Sequence, residues 1–374
     1  MVHDLRKRLG RRPAPRGMTL IELLIGSSIM LVVILAALSL YMQSNKVAVD
    51  QQQIHEVQND VRAAMFLMTR DIRMAGVGLD FAYNAFFLEG TNNEDQGGDV
   101  MPDRILMMGN MEDPLNIKIQ NYQGDAANLA AEDYSIESYP YPDEFYPNKV
   151  IILMPNKDSG CIACEIRIIT SVTHDANGKN EKFNFSPGLA PGIDPPGGLG
   201  NSCPDSNDWD GGNAAFINVK EYWLDVTGNH PSYAAGVNGY IGGGVGGILY
   251  MTQNGIHYPV ARNIENFQLQ YFADWNGNTD LTDDVWMDWD PSWTPDIRSR
   301  IGQVRVFLVG RTPNPMAGVA RAGVPTDVIL YRRPTIADSP GMTAEQTDFR
   351  KRFVMESMAT IRNTAINIYN TGNR

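Results

Sequence analysis

From Leu23 to Met42 the chain reads LLIGSSIMLVVILAALSLYM, with neither a charge nor a proline. About 20 mostly apolar residues are enough to cross the hydrocarbon core as a helix. A helix also satisfies its own backbone polar groups, as lipid requires. The pattern then changes without a break. Ile54, Val57, Val61, Met65, Met68 and Ile72 recur at spacings of three and four, with Gln, Asn, Asp and Arg between them. This predicts an amphipathic helix with one apolar stripe. It should end near Gly76-Val77-Gly78, where glycine supplies a C-cap and a break. One helix over Met18–Ala75 would be on the order of 85 Å long at ~1.5 Å per residue. Its first part, about 20–42, would lie in the membrane, and its second part, 43–75, would pack on a domain.

Beyond residue 75 the apolar pattern shortens. Runs rich in Val, Ile, Phe and Tyr predict strands at Arg104–Met108, Val150–Met154, Glu165–Val172, Phe216–Val226, Gly247–Met251, Phe267–Ala273, Gln303–Gly310, Val328–Arg332 and Arg352–Arg362. No helical pattern alternates with them, so the sheet should be largely antiparallel and the class α+β. The helix would cover one face of that sheet. The length in excess of a small domain is assigned to loops at His174–Ala215 and Asp274–Ile297.

Charge sharpens the reading of the N-terminus. Arg6, Lys7, Arg8, Arg11, Arg12 and Arg16 crowd the first residues against a single acid, Asp4, whereas the whole chain of 374 residues carries a net charge of −12. Basic flanks stay cytoplasmic, so the C-terminal bulk should lie outside the inner membrane. The acidic remainder offers no broad basic face, and no nucleic-acid partner is expected. A secretory signal competes for the same features, but its apolar core runs only about 7–15 residues. Glu22 stands at the head of the apolar run. A lone carboxylate entering a membrane helix is costly and is read as functional by default; the bland alternative places it in the headgroup layer.

The residues around Glu22 decide between these. Arg16-Gly17-Met18-Thr19-Leu20-Ile21-Glu22-Leu23-Leu24 resembles the signature of type IV prepilins, in which a short basic leader ends in glycine. The resemblance implies a leader over 1–17, cleavage between Gly17 and Met18 by a prepilin peptidase, N-methylation of Met18, and Glu22 as fifth residue of the mature chain. It further implies that the Glu22 carboxylate pairs with the N-terminal ammonium of a neighbouring subunit, which removes the penalty of an unpaired charge in lipid and sets axial register. Met18 departs from the phenylalanine commonest at that position. Ser39 stands where major pilins often carry a proline, which favours a minor pilin or pseudopilin. Arg70-Asp71-Ile72-Arg73-Met74-Ala75-Gly76 resembles the end of this helix in PilW-like minor pilins. Asn263–Tyr271 and the closing run Lys351–Asn363 are similar to strands of PilW-like and J-type pseudopilin chains. The implied fold is an enlarged type IV pilin fold, with residues 76–374 as a globular β-rich domain.

Other groups of residues bear on possible chemistry. Asp274, Asn276, Asn278 and Asp280 alternate oxygen side chains that could face one Ca²⁺. The spacing is not that of an EF-hand, since Gly277 is fourth and Val285 twelfth. The competing reading is a solvated acidic turn around Asn276-Gly277. Trp275, Trp286, Trp289 and Trp293 fall in the same loop, as a partner-binding patch or, preferably, as its own small core. Cys161, Cys164 and Cys203 imply a structural disulfide among them, with the pairing open. Gly242–Gly247 matches GxGxxG without the strand–helix context, and His55-Glu56 begins HExxH but meets Asn59 instead of histidine. No catalytic set is found, and no cofactor is required.

The expected function is that of a minor type IV pilin, assembling with other minor and major pilins near a filament tip. A type II secretion pseudopilin is the close alternative. A membrane-anchored periplasmic hydrolase, binding protein or adhesin is the rival of another class.

Overall fold

The computed structural model describes residues 17–77, 87–96, 100–110, 116–122, 126–130, 147–161, 165–174, 180–185, 206–228, 247–253, 255–278, 280–315, 333–341, 348 and 350–361. The chain divides into two compact units, Met1–Gln52 and Gln53–Arg374. A single helix, α1, runs over Leu20–Met74 and contributes to both. Every residue from Gly17 to Val49 is exposed. Of the stripe foreseen further along, Val57, Val61, Met65, Met68 and Ile72 are each at most 2% exposed and are joined by Ala64, while Ile54 is only partly buried. The helix stops where glycine allows it. Gly76 takes φ 74 and donates its N–H to Met108 O at 2.8 Å.

The unit from Gln53 onward holds the strands β1 (Leu88–Thr91), β2 (Arg104–Gly109), β3 (Asn116–Tyr122), β4 (Ala126–Ala130), β5 (Val150–Met154), β6 (Glu165–His174), β7 (Asn180–Phe185), β8 (Asn213–Asp225), β9 (Ile248–Gln253), β10 (Ile256–Arg262), β11 (Ile264–Ala273), β12 (Ile301–Arg311) and β13 (Arg352–Thr360), with a short helix α2 at Pro295–Ser299. All pairings are antiparallel. They form two sheets. One has ten strands in the order β1-β2-β8-β3-β4-β7-β6-β5, with β9 attached to β8 and β10 to β9; the other is β11-β12-β13. The expected strand Val328–Arg332 lies outside the described residues.

The 13-residue strand β8 organises the large sheet. Its first half pairs with β3 on one side and β5 on the other. Its second half pairs with β2 and β9. The β8–β5 pairing closes β8-β3-β4-β7-β6-β5 into a ring, which removes two strand edges. Ile117, Ile119, Ile151, Leu153, Ile169, Phe183, Phe185, Trp209, Ala214 and Phe216 fill its interior. Alternation serves both sides of the shared wall. Val150, Ile152, Ala215 and Ile217 face the main core, which they share with α1, β2, β11 and β12. This corrects the assignment of His174–Ala215 to loop, since β7, a 3₁₀ turn at Ser206–Asp208 and the start of β8 all lie within it. The added bulk here is a second, closed layer of sheet.

Four contacts lock the unit together. A Cβ on Gly310 would meet Val57 Cγ1 and Val61 Cγ2, both at 2.6 Å, so the glycine lets α1 approach β12 closely. Buried Asp71 accepts from Tyr222 Oη at 2.8 Å and from Lys220 Nζ at 3.5 Å, tying the last turn of α1 to β8. Asp103 joins the two sheets: Oδ1 accepts from Asn93 N at 3.0 Å, Oδ2 from Leu269 N at 2.6 Å, and its own N–H donates to Phe267 O. Arg352 on β13 reaches across β12 to Glu265 on β11, Nη2 to Oε1 at 2.8 Å, with Asp348 on its other side.

Candidate assembly site

Gly17, Met18 and Thr19 precede α1 as exposed, non-helical chain. Thr19 then starts the helix in a definite way. Its backbone N–H donates to Glu22 Oε2 at 2.9 Å, and its hydroxyl donates to the same oxygen at 3.0 Å. Glu22 N lies 3.3 Å from Thr19 Oγ1 in return. This is a capping box, in which the N-cap and N3 residues satisfy each other's otherwise unpaired N–H groups. The negative charge also lies at the positive end of the helix dipole. Glu22 thus already has a role within its own chain. Sequence reasoning assigned Glu22 and passed over Thr19, although T-x-x-E before an apolar run is the sequence signature of this cap.

After Glu22, Ser27 and Ser28 return their hydroxyls to Leu24 O and Ile25 O, at 3.0 and 2.8 Å. The only polar side chains in the first turns after Glu22 therefore present no unpaired donor. By length and composition α1 is able to cross a membrane.

The other candidates are placed as follows. Asp274 Oδ1 accepts the N–H groups of Gly277 and Asn278, Asn276 Oδ1 that of Asn278, Asn278 Oδ1 that of Asp280, and Asp280 Oδ1 both N and Oγ1 of Thr282. Asn276 and Asn278 direct their amide nitrogens to Asp283 Oδ2, each at 3.0 Å. The loop is a chain of side-chain-to-backbone turns. Among the described residues no three His, Cys, Asp or Glu side chains gather as a metal cluster. Asp284 Oδ2 is buried without a hydrogen-bond partner beside this loop.

Trp289 and Trp293 are buried, and Trp275 and Trp286 are partly so. Trp289 and Trp293 pack edge-on to Tyr271 at 5.2 and 6.0 Å between centroids, and Trp275 lies 4.6 Å from Trp293. Trp289 and Trp293 are part of the main core, with Trp275 packed against it, while Trp286 lies against Phe272 and Arg305; the expectation of a separate loop core is corrected accordingly. Cys161 is disulfide-bonded; Cys164 and Cys203 lie outside the described residues, as does the glycine run before Gly247.

A model of the prokaryotic N-terminal methylation motif matches residues 12–38. The chain opens as a type IV pilin-like prepilin does. The match takes in the end of the basic stretch with Arg12 and Arg16, Gly17, the capping box and most of the apolar stretch. The long apolar helix and the antiparallel sheets behind it complete a type IV pilin-like fold. Among solved structures, a type IV-like pilin from Thermus thermophilus is 17% identical, over 40% of this chain and 78% of that one, with a TM-score of 0.19. That superposition is too slight to carry an argument. No curated protein matches the chain.

Proposed function

We propose that this protein is a minor type IV pilin of the PilW-like kind, made as an inner-membrane prepilin and incorporated near the tip of a filament. The observation that supports it most is the Thr19–Glu22 cap at the head of an all-exposed apolar helix, inside the methylation motif. In this reading prepilin peptidase cuts between Gly17 and Met18, the new amine of Met18 is methylated, and the domain lies on the periplasmic side before assembly. Other minor and major pilins are its partners, and its role is structural rather than catalytic.

Glu22 would then do two things. Both Thr19 bonds go to Oε2, so Oε1 can accept the ammonium of a neighbouring subunit without uncapping the helix. Pairing a charge inside lipid strongly favours the assembled state over the free one. Calcium in the Asp274–Asp280 loop belongs to the same reading. An ion there would take the second oxygens of Asp274 and Asp280, and would require Asn276 and Asn278 to turn their carbonyl oxygens toward it. The Cys161 disulfide would close on Cys164 or Cys203.

N-terminal mass spectrometry of the protein from membranes and sheared filaments tests the processing. A chain beginning at N-methylated Met18 is expected; an intact leader would sink the proposal. Glu22→Ala should insert into the membrane as well as the wild type yet be lost from filaments, and normal incorporation would remove the pairing role. The same architecture suits a J-type pseudopilin. Co-purification with secretion-system rather than pilus subunits would select that alternative.

A further inference from the structure

One face of α1 breaks the rule that the stripe obeys. Phe66 is 67% exposed although Met65 and Met68 beside it are at most 2% exposed. Beyond residue 42 it is the most exposed large apolar side chain among the described residues. It borders a groove of about 200 Å³ lined by Phe66, Thr69, Arg70, Arg73 and Met74. Arg62, Arg70 and Arg73 are exposed along the same side of the helix; Arg70 is ion-paired with the buried Asp71 at 2.8 Å, and Arg62 lies over the Phe353 ring at 5.9 Å. Positions 62, 66, 70 and 73 lie within one narrow stripe at ~3.6 residues per turn. An aromatic ring among arginines is the composition of an interface centre, here on a chain with net charge −12.

The same chain carries a surface of the opposite kind. Between residues 274 and 297 there is no Lys, Arg or His, and Asp280, Asp283 and Asp290 are exposed. At the crest of this loop Val285 is 61% exposed, with Leu281 and Met287 at 36% each. Among the described residues Val285 is the second most exposed large apolar side chain beyond residue 42. The crest is held in shape: Trp275 Nε1 donates to Val285 O at 2.8 Å, and Tyr271 and Met287 exchange both backbone bonds at 2.8 and 2.9 Å. A preorganised loop loses little entropy on docking.

We propose that the Phe66 groove of one copy receives the Val285 crest of a second copy, with Arg62 and Arg73 facing Asp280, Asp283 and Asp290. Phe66 and Val285 are both exposed within one chain, so neither covers the other there. The two patches differ, so the contact is head-to-tail, and each added copy offers both patches again. Opposed fields would steer the approach and fix its register. This goes beyond the filament reading, because it sets at least two copies side by side whatever the N-terminus does.

Two preparations of the full chain in dilute detergent micelles test it, one with Phe66→Cys and one with Val285→Cys, joined by a short bis-maleimide. The mixture should yield covalent dimer, roughly tenfold more (about 1.4 kcal/mol) than either preparation alone, the wild type, or Val285→Cys mixed with the exposed-site control Tyr258→Cys. Arg73→Glu in the Phe66→Cys chain should return the yield to background, and Asp283→Arg in the partner should restore it. A mixture no better than the control, or a charge reversal that the partner change does not rescue, overturns the proposal. Correct cleavage at Met18 would be unaffected by either outcome, so failure here leaves the prepilin reading standing.

Discussion

Two stretches of one helix obey different rules. From residue 20 to 49, α1 is exposed all round, its apolar side chains included. From Val57 to Ile72 the apolar residues keep to one stripe, and that stripe is almost wholly buried. The first pattern has a face for lipid in every direction and the second a face for its own sheets. Hydrophobicity alone does not distinguish these cases; its angular distribution does. The cap differs as well. The apolar end is closed by Thr19 and Glu22, whereas the domain end is closed by Gly76 and by Asp71 reaching into β8.

A charge in each stretch should break a different property. Met68→Asp places a carboxylate at a fully buried position, and the domain should lose more than about 4 kcal/mol, enough to unfold it. Membrane insertion of that variant should be normal. Leu31→Asp should leave thermal unfolding of the domain unchanged and reduce membrane insertion, at a cost of about 2.5–3.5 kcal/mol near the bilayer centre. Circular dichroism and carbonate extraction, run on both, read the two effects separately. If Leu31→Asp melted the domain, the division of labour along α1 would be wrong.

The contrast extends to pH, where the domain alone should respond. Burial pushes the Asp103 carboxyl up to about 8; the N–H groups of Asn93 and Leu269 oppose the rise, and Asp338 and Asp288 add to it. A carboxyl raised in the folded state favours folding while protonated. Its contribution is therefore fully present below its unfolded pKa near 4 and is lost as pH climbs toward about 8. Denaturant titrations from pH 4 to 9 should show this decline, on the order of a few kcal/mol. Asp103→Asn should flatten it; an unchanged slope would assign the dependence elsewhere.

Calcium should have the smallest effect. Millimolar Ca²⁺ against EDTA should raise the domain Tm by a few degrees, about 1 kcal/mol for a weak extracellular site. Asp274→Asn should abolish the rise. Equal Tm values with and without the ion would leave the Asx turns alone to hold the loop.

Much of this was legible along the chain because its causes are local. Apolar residues three and four apart marked α1, and runs of Val and Ile marked β5 and most of β12. β4 escaped notice because Ala126-Ala127-Asn128-Leu129-Ala130 has no strand propensity of its own. It exists because β3 and β7 pair on either side of it. β7 reads as a polar loop, since its sequence NEKFNF is polar apart from Phe183 and Phe185, which are buried. The β9–β10 hairpin did have a signal in Asn254-Gly255, with Gly255 at φ 76. Pro259 obscured it, and the structure absorbs that proline at a register shift. At the assembly site Gly17, Met18 and Glu22 stood out by spacing, whereas Thr19 was readable only as half of a cap.

What the sequence determined by itself is the helix, its change from an all-round to a one-sided apolar surface, and the prepilin-type start. Each depends on residues within a few positions of one another. Only the tertiary structure decided that β8 is shared by four neighbours, that a closed ring of strands fills the middle of the chain, and that Asp103 and Asp71 are the polar ties between layers. Those features join residues roughly sixty to more than 160 positions apart in the chain. Such pairings depend on which surfaces remain to be buried once the local elements have formed.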